Sequence, residues 1–186
     1  DDSSRGIRAR LAFLHQLDPA WPDVSDRALL DSRDEWLAPH VMGLRREDEL
    51  ARLDPGAMLL EMLGWEQRAR LDEWAPSHIQ VPSGSRILVD YSEPAAPVLA
   101  VRLQELFGLT ETPRVGLGGI PVTLHLLSPA GRPVQVTRDL AGFWRSTYFE
   151  VRKDLKGRYP KHFWPDDPLE AEPTRQAKRK RPSPGT

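Results

Sequence analysis

The period of the apolar residues changes once along this chain, near Ala75-Pro76, and that change constrains the fold more than any other feature. Before it, apolar residues recur at spacings of three and four, as on one face of a helix. After it come short runs of Val, Ile and Leu punctuated by Pro and Gly, the signature of strands and turns. Ile7, Leu11, Leu14 and Leu17 define a first helix, which Asp18-Pro19 stops. Ser25-Asp26 begins a second, running through Leu29, Leu30 and Trp36 to about Met42, with Gly43 as its stop and Pro39 disturbing its last turn. A short charged helix is expected around 46–53. Asp54-Pro55 then pairs a capping carboxylate with proline at the first helical position. The helix it opens carries Met58, Leu59, Met62, Leu63 and, past Gly64, Leu71 and Trp74.

Beyond the change, strands are predicted at 79–81, 86–91, 98–101, 122–127 and 134–137, with a short helix over 102–109. Val115-Gly116-Leu117-Gly118-Gly119-Ile120 reads as a hairpin turn. The fold class is therefore α+β. A helical subdomain (1–75) precedes a small antiparallel β module, compatible with an OB-like barrel or half-barrel, closed by a long basic amphipathic helix and an aromatic strip (76–168). The tail over 169–186, EAEPTRQAKRKRPSPGT from Glu170, has no aromatic residue and is expected to be disordered.

Several classes of chemistry drop out. The absence of cysteine removes disulfides, thiolate catalysis and Cys-based zinc sites, and fits a cytoplasmic protein. No apolar run approaches the roughly 18 residues of a membrane span. His15, His40, His78, His125 and His162 lie far apart, without a second ligand one helical turn away. The glycine-rich run at 115–120 lacks the Lys-Ser/Thr of a phosphate cradle and leads into a strand rather than a helix. No Gly-x-Ser-x-Gly elbow occurs, and no carboxylate pair stands out from its charged surroundings. Neither a catalytic residue nor a bound cofactor or metal is expected. The chain opens Asp1-Asp2-Ser3-Ser4 without an initiator Met, so it is expected to be part of something longer.

The net charge of −1 conceals a polarity. Residues 1–74 hold 10 basic against 16 acidic side chains, whereas 132–161 hold 8 basic against 3 acidic. At 100° per residue, the stretch 137–167 forms one helix with two stripes. Leu140, Trp144, Tyr148, Val151 and Leu155 make the apolar stripe. Arg138, Arg145, Arg152 and Lys156 fall within about 40° of one another on another side. Lys153, Arg158, Tyr159, Lys161, Phe163 and Trp164 continue the basic and aromatic character. Aligned cations beside aromatics suit phosphates and stacked bases. They equally suit a solvated helix face, with Phe163 and Trp164 packed back as anchors. Lys178-Arg179-Lys180-Arg181 could add non-specific phosphate attraction or remain solvated.

The residues from Pro121 to Pro168, PVTLHLLSPAGRPVQVTRDLAGFWRSTYFEVRKDLKGRYPKHFWPDDP, closely resemble the C-terminal signature of bacterial HrpB-type ATP-dependent helicases of the DEAH group. FLHQLDPAWP (13–22), DEWLAP (34–39), VPSGSR (81–86) and LAVRLQELFG (99–108) are similar to the same family. The resemblance covers most of 5–168. It implies two RecA-like motor domains, with ATP and Mg, outside this chain, because neither a Gly-Lys-Ser/Thr loop nor an Asp-Glu-Ala/Cys-His box is present. It carries over no catalytic residue.

Two functions are expected of such a region. In the first it assists nucleic-acid binding for an ATP-dependent RNA helicase. Arg138, Arg145, Arg152 and Lys156 then contact phosphates, and Tyr159, Phe163 or Trp164 stack on bases. In the second it is a docking module that clamps the motor domains or recruits a protein partner. The sequence leaves oligomeric state open.

Overall fold

The structure, a computed structural model, describes residues 2–176. The basic cluster at 178–181 lies outside the described residues. Two compact units divide the chain, and each is treated by itself.

The first unit comprises Asp1–Ser77, Val89–Pro97 and Arg114–Ile120. Its helices are α1 (Asp2–Leu17), α2 (Asp26–Asp31), α3 (Arg33–Trp36), α4 (Ala38–Val41), α5 (Glu47–Leu50), α6 (Pro55–Glu61) and α7 (Trp65–Trp74). Two predicted caps are in place. The Ser25 hydroxyl accepts from the Ala28 N–H, and Asp54 Oδ1 accepts from the Gly56 and Ala57 N–H groups at 2.9 and 3.1 Å. The single helix expected over 26–42 is instead the series α2 to α4. Its first break sits at Ser32, whose hydroxyl bonds back to the Ala28 carbonyl at 2.7 Å. Likewise the helix expected from 55 to 74 is interrupted at Gly64, which caps α7.

α1 packs on α6. Gly56 makes this approach possible: a Cβ there would sit 2.9 Å from Ile7 Cδ1 and 3.3 Å from Ser4 Cα. Leu11, Phe13, Leu14, Met58, Leu59 and Leu71 are buried, with Tyr91 set against Phe13 at a ring separation of 5.0 Å. Arg10 is buried too. Its guanidinium donates to the Ala75 carbonyl at 2.6 Å, to the Leu71 carbonyl at 3.3 Å and to Asp72. It thus closes the C-terminal end of α7, as the main donor to the Ala75 carbonyl and a second donor to the Leu71 carbonyl, which also accepts from the Ala75 N–H.

The strands are β1 (His78–Gln80), β2 (Arg86–Asp90), β3 (Val98–Arg102), β4 (Arg114–Val115), β5 (Ile120–Pro121), β6 (Thr123–Leu127) and β7 (Pro133–Thr137). Five of them form one sheet in the spatial order β1-β2-β3-β6-β7. β4 and β5 make a separate two-residue ladder that flanks the predicted glycine turn. That turn is left-handed at three successive residues, Gly116, Leu117 and Gly118. Gly116 is required there, since a Cβ would meet Leu17 Cδ1 at 2.7 Å.

Two expectations for this module are corrected. The sheet is mixed rather than antiparallel, because β3 and β6 pair in parallel from Val98↔Thr123 to Arg102↔Leu127. It also stays open, with β1 and β7 as edges, so no OB-like barrel forms. A parallel pair needs a long crossover, and the 3-10 helix Leu103–Leu106 begins it.

The second unit comprises His78–Leu88, Val98–Pro113 and the chain from Pro121 onward. One sheet face is buried, through Leu99, Val101, Leu124 and Leu126. On the other face Leu88 and Val136 are 62% and 53% exposed. The expected long helix is corrected to two, α8 (Leu140–Arg145) and α9 (Tyr148–Arg158). The break falls at Ser146. Its backbone leaves the helical region (φ −127, ψ −79), and its hydroxyl bonds back to the Gly142 carbonyl at 2.8 Å. Residues 169–176 keep contacts of their own: the Thr174 N–H donates to the Gln104 carbonyl, and Arg175 donates to the Ser83 carbonyl.

Arg10→Met should lower the unfolding free energy by about 1–3 kcal/mol, because the Ala75 carbonyl loses its donor and the Leu71 carbonyl one of two. Asp72→Asn should cost under about 1 kcal/mol, its carboxylate being 86% exposed. Urea titration of both variants tests the contrast. Burial pushes the Tyr91 and Tyr148 hydroxyls well above the ordinary phenol range. The unfolded chain therefore loses two protons that the folded chain keeps, and stability should fall as pH rises beyond about 10. Tyr91→Phe should remove part of that fall in urea titrations between pH 8 and 11.

Candidate nucleic-acid interface

The basic segment is built around an aromatic centre. Phe107, Phe143, Trp144 and Tyr148 are buried and meet mostly edge-on, with ring separations from 5.1 to 6.5 Å. Each polar handle is satisfied: Trp144 Nε1 donates to the Leu109 carbonyl and the Tyr148 hydroxyl to the Pro165 carbonyl, both at 2.8 Å. The strip that follows α9 folds back on this unit. Trp164 is buried, its Nε1 donating to the Tyr159 carbonyl at 3.0 Å. Tyr159 is half-buried and its hydroxyl reaches Ser128 Oγ at 3.3 Å. The Pro168 carbonyl accepts from the Gly108 N–H at 2.9 Å.

The helix break dissolves the predicted single stripe. Arg138 precedes Asp139, the cap of α8, so it lies on neither helix; it is exposed and donates to the Pro121 carbonyl at 3.3 Å. Arg145 ends α8 and is exposed. Arg152 turns inward instead. Its Nε donates to the Trp164 carbonyl at 3.1 Å and its Nη2 to Asp166 Oδ1 at 2.5 Å. It straps the aromatic strip to α9. Arg158 is exposed and pairs with Asp154 one turn back at 3.1 Å.

What α9 does present is a different row. Phe149, Lys153 and Lys156 follow one another at spacings of four and three, on one helical face, and all three are exposed. Lys161 is exposed beyond the helix, and Phe163 is 36% exposed. Arg145, Lys153, Lys156 and Lys161 have no ion-pair partner among the described residues. Most arginines of the helical unit, by contrast, face a nearby carboxylate, as in Arg8–Asp26, Arg27–Asp31 and Arg52–Asp48.

The sequence gives no signal for Gln104, and His162 reads there only as one of five separated histidines. The Gln104 amide nitrogen, a donor only, faces His162 Nδ1 at 3.2 Å, which makes Nδ1 the acceptor. Burial, aided by the Arg102 charge, holds the imidazole below its usual range. The pair stiffens the strip rather than adding charge. Their separation of 58 positions explains why no sequence spacing announces it. No group of three or more His, Cys, Asp or Glu among the described residues could hold a metal ion. No described helix is long and apolar enough to cross a membrane.

Comparison with known proteins places these elements in context. A family model for the HrpB C-terminal region, described as "ATP-dependent helicase C-terminal", matches residues 36–168. The ATP-dependent RNA helicase HrpB of Escherichia coli (strain K12) is 48% identical over 159 residues, covering 86% of this chain and 20% of that protein. The crystal structure of the E. coli DExH-box NTPase HrpB superposes with a TM-score of 0.87 at 45% identity, over 95% of this chain and 22% of that one. A crystal structure of the E. coli DEAH/RHA helicase HrpB gives a TM-score of 0.72 at 42% identity, over 88% and 21%. The chain thus spans about a fifth of the length of these relatives. Matched by the family model over more than half its length, it belongs to the HrpB-type ATP-dependent helicase C-terminal family.

Proposed function

We propose that this region assists single-stranded RNA binding for an ATP-dependent helicase, holding or guiding the strand while motor domains elsewhere in the polypeptide bind ATP and Mg and translocate in the cytoplasm. The observation that carries this reading is the set of four exposed cations, Arg145, Lys153, Lys156 and Lys161, without an ion-pair partner among the described residues. Unpaired cations attract phosphate at no cost in broken internal pairs. Phe149, 51% exposed on the Lys153–Lys156 face, offers a ring for base stacking, worth about 1–3 kcal/mol. Phe163 offers a second. Arg138 and Arg158 add charge at the margins. Arg152, Tyr159 and Trp164 act indirectly, by fixing the strip that carries Lys161 and Phe163.

The docking reading has an observation of its own. The outer sheet face exposes Leu88 on β2 and Val136 on β7, two separate apolar side chains open to cover by another domain. On that view the region clamps the motor domains of the same polypeptide.

Fluorescence-anisotropy titration with a labelled single-stranded RNA at several salt concentrations separates the two. With Lys153→Glu/Lys156→Glu, affinity should drop, and the log–log salt slope should shrink by about 0.7 for each phosphate left without its lysine. An unchanged slope in the folded double variant would exclude this face. Arg152→Met should behave differently, with stability reduced by about 1–3 kcal/mol and a slope near that of the parent chain. RNA affinity that is negligible even at low salt would favour docking.

A further inference from the structure

The helical unit contains a groove that the RNA reading does not use. It has a volume of about 390 Å³ and is lined by α3, α4, α6 and the residues beside them. Its apolar lining is Pro22, Trp36, Pro39, Met58 and Met62. Trp36 presents its ring, since its Nε1 is already bonded to the Leu29 carbonyl at 2.8 Å. The polar lining includes two carboxylates, Glu35 and Glu61, and neither Lys nor Arg. His40 Nε2 faces Glu61 Oε2 at 3.3 Å, while Glu35 is exposed and has no ion-pair partner among the described residues.

We infer that this groove is a peptide-docking site for a bulky apolar side chain flanked by Lys or Arg. Its size is that of a small-ligand site. Two thioethers give it a lining that adapts to the shape of its guest. The carboxylates repel an RNA backbone and attract a cationic segment. A polypeptide fits better than a small amine, because the chain next to the lining residues Ser32 and His40 carries further exposed apolar side chains. Leu30 on α2 is 63% exposed, and Met42, directly after α4, is 78% exposed.

The test uses the whole chain and a random-peptide library displayed on phage. Selected peptides should share one large apolar residue with Lys or Arg close by, and a labelled copy should bind in anisotropy titrations. Glu35→Lys/Glu61→Lys should weaken that binding by about tenfold or more, with the thermal midpoint showing that the variant is folded. Should the pair fail to fold, Glu35→Lys alone decides, because that side chain is exposed and unpaired. Met62→Lys, which places a cation among the apolar lining, should also weaken binding. The proposal is overturned if no peptide is enriched, if the selected peptides lack cations, or if the folded variants bind as well as the parent. It is equally overturned if single-stranded RNA displaces the peptide from the Lys153→Glu/Lys156→Glu chain as readily as from the parent, which would assign the groove to RNA.

Discussion

The C-terminal segment depends on how the Tyr148 side chain is held. It heads the fully buried residues in size, and its ring meets Phe107, Phe143 and Trp144 mostly edge-on. Its hydroxyl donates to the Pro165 carbonyl, so one residue joins α8, α9, the segment after the 3-10 helix and the returning strip. Such ring pairs contribute about 0.5–1.5 kcal/mol beyond the area they bury. The helix break follows from this constraint. Five residues apart on a continuous helix, Phe143 and Tyr148 would point about 140° away from each other. They instead meet at 6.2 Å, which the turn at Ser146 permits. The cations on either side of the break therefore cannot form one stripe.

What could be read from the sequence was the chemistry that acts over a few residues. Ser25 and Asp54 cap helices because a side-chain oxygen reaches N–H groups two or three residues on. The strands over 86–90 and 123–127 followed from local composition. The parallel pairing of β3 with β6 did not, since nothing in either strand states which neighbour lies across a connection of twenty residues. Ser146-Thr147 did carry a local signal for the break, a hydroxyl able to compete for the Gly142 carbonyl. Helical periodicity alone outweighed it.

The candidate interface was legible in its composition but not in its geometry. Arg152 shares the periodicity of Arg145, yet its partners are Asp166 and the Trp164 carbonyl, twelve to fourteen residues along and beyond a proline. Only folding decides that one arginine of the row becomes a strap while its lysine neighbour stays free. Internal bonding of this kind changes what a cation is worth to a ligand. A guanidinium already bonded to a carboxylate must break that pair before it can meet a phosphate, whereas Lys153 and Lys156 need only shed water.

The same geometry limits what kind of recognition the proposed face could support. Lysine ammonium groups are point charges without the planar fork that reads a base edge. An exposed phenylalanine ring stacks on any base. A face made of Lys153, Lys156 and Phe149 would therefore grip backbone and stack bases without discriminating among them, as phosphate contacts carry no sequence information. Were the proposed strand-holding role correct, that indifference would be useful, because a strand passing this face would present different bases to the same side chains. Any preference for a particular RNA would have to arise outside this face, from motor domains or from strand shape rather than from base readout here.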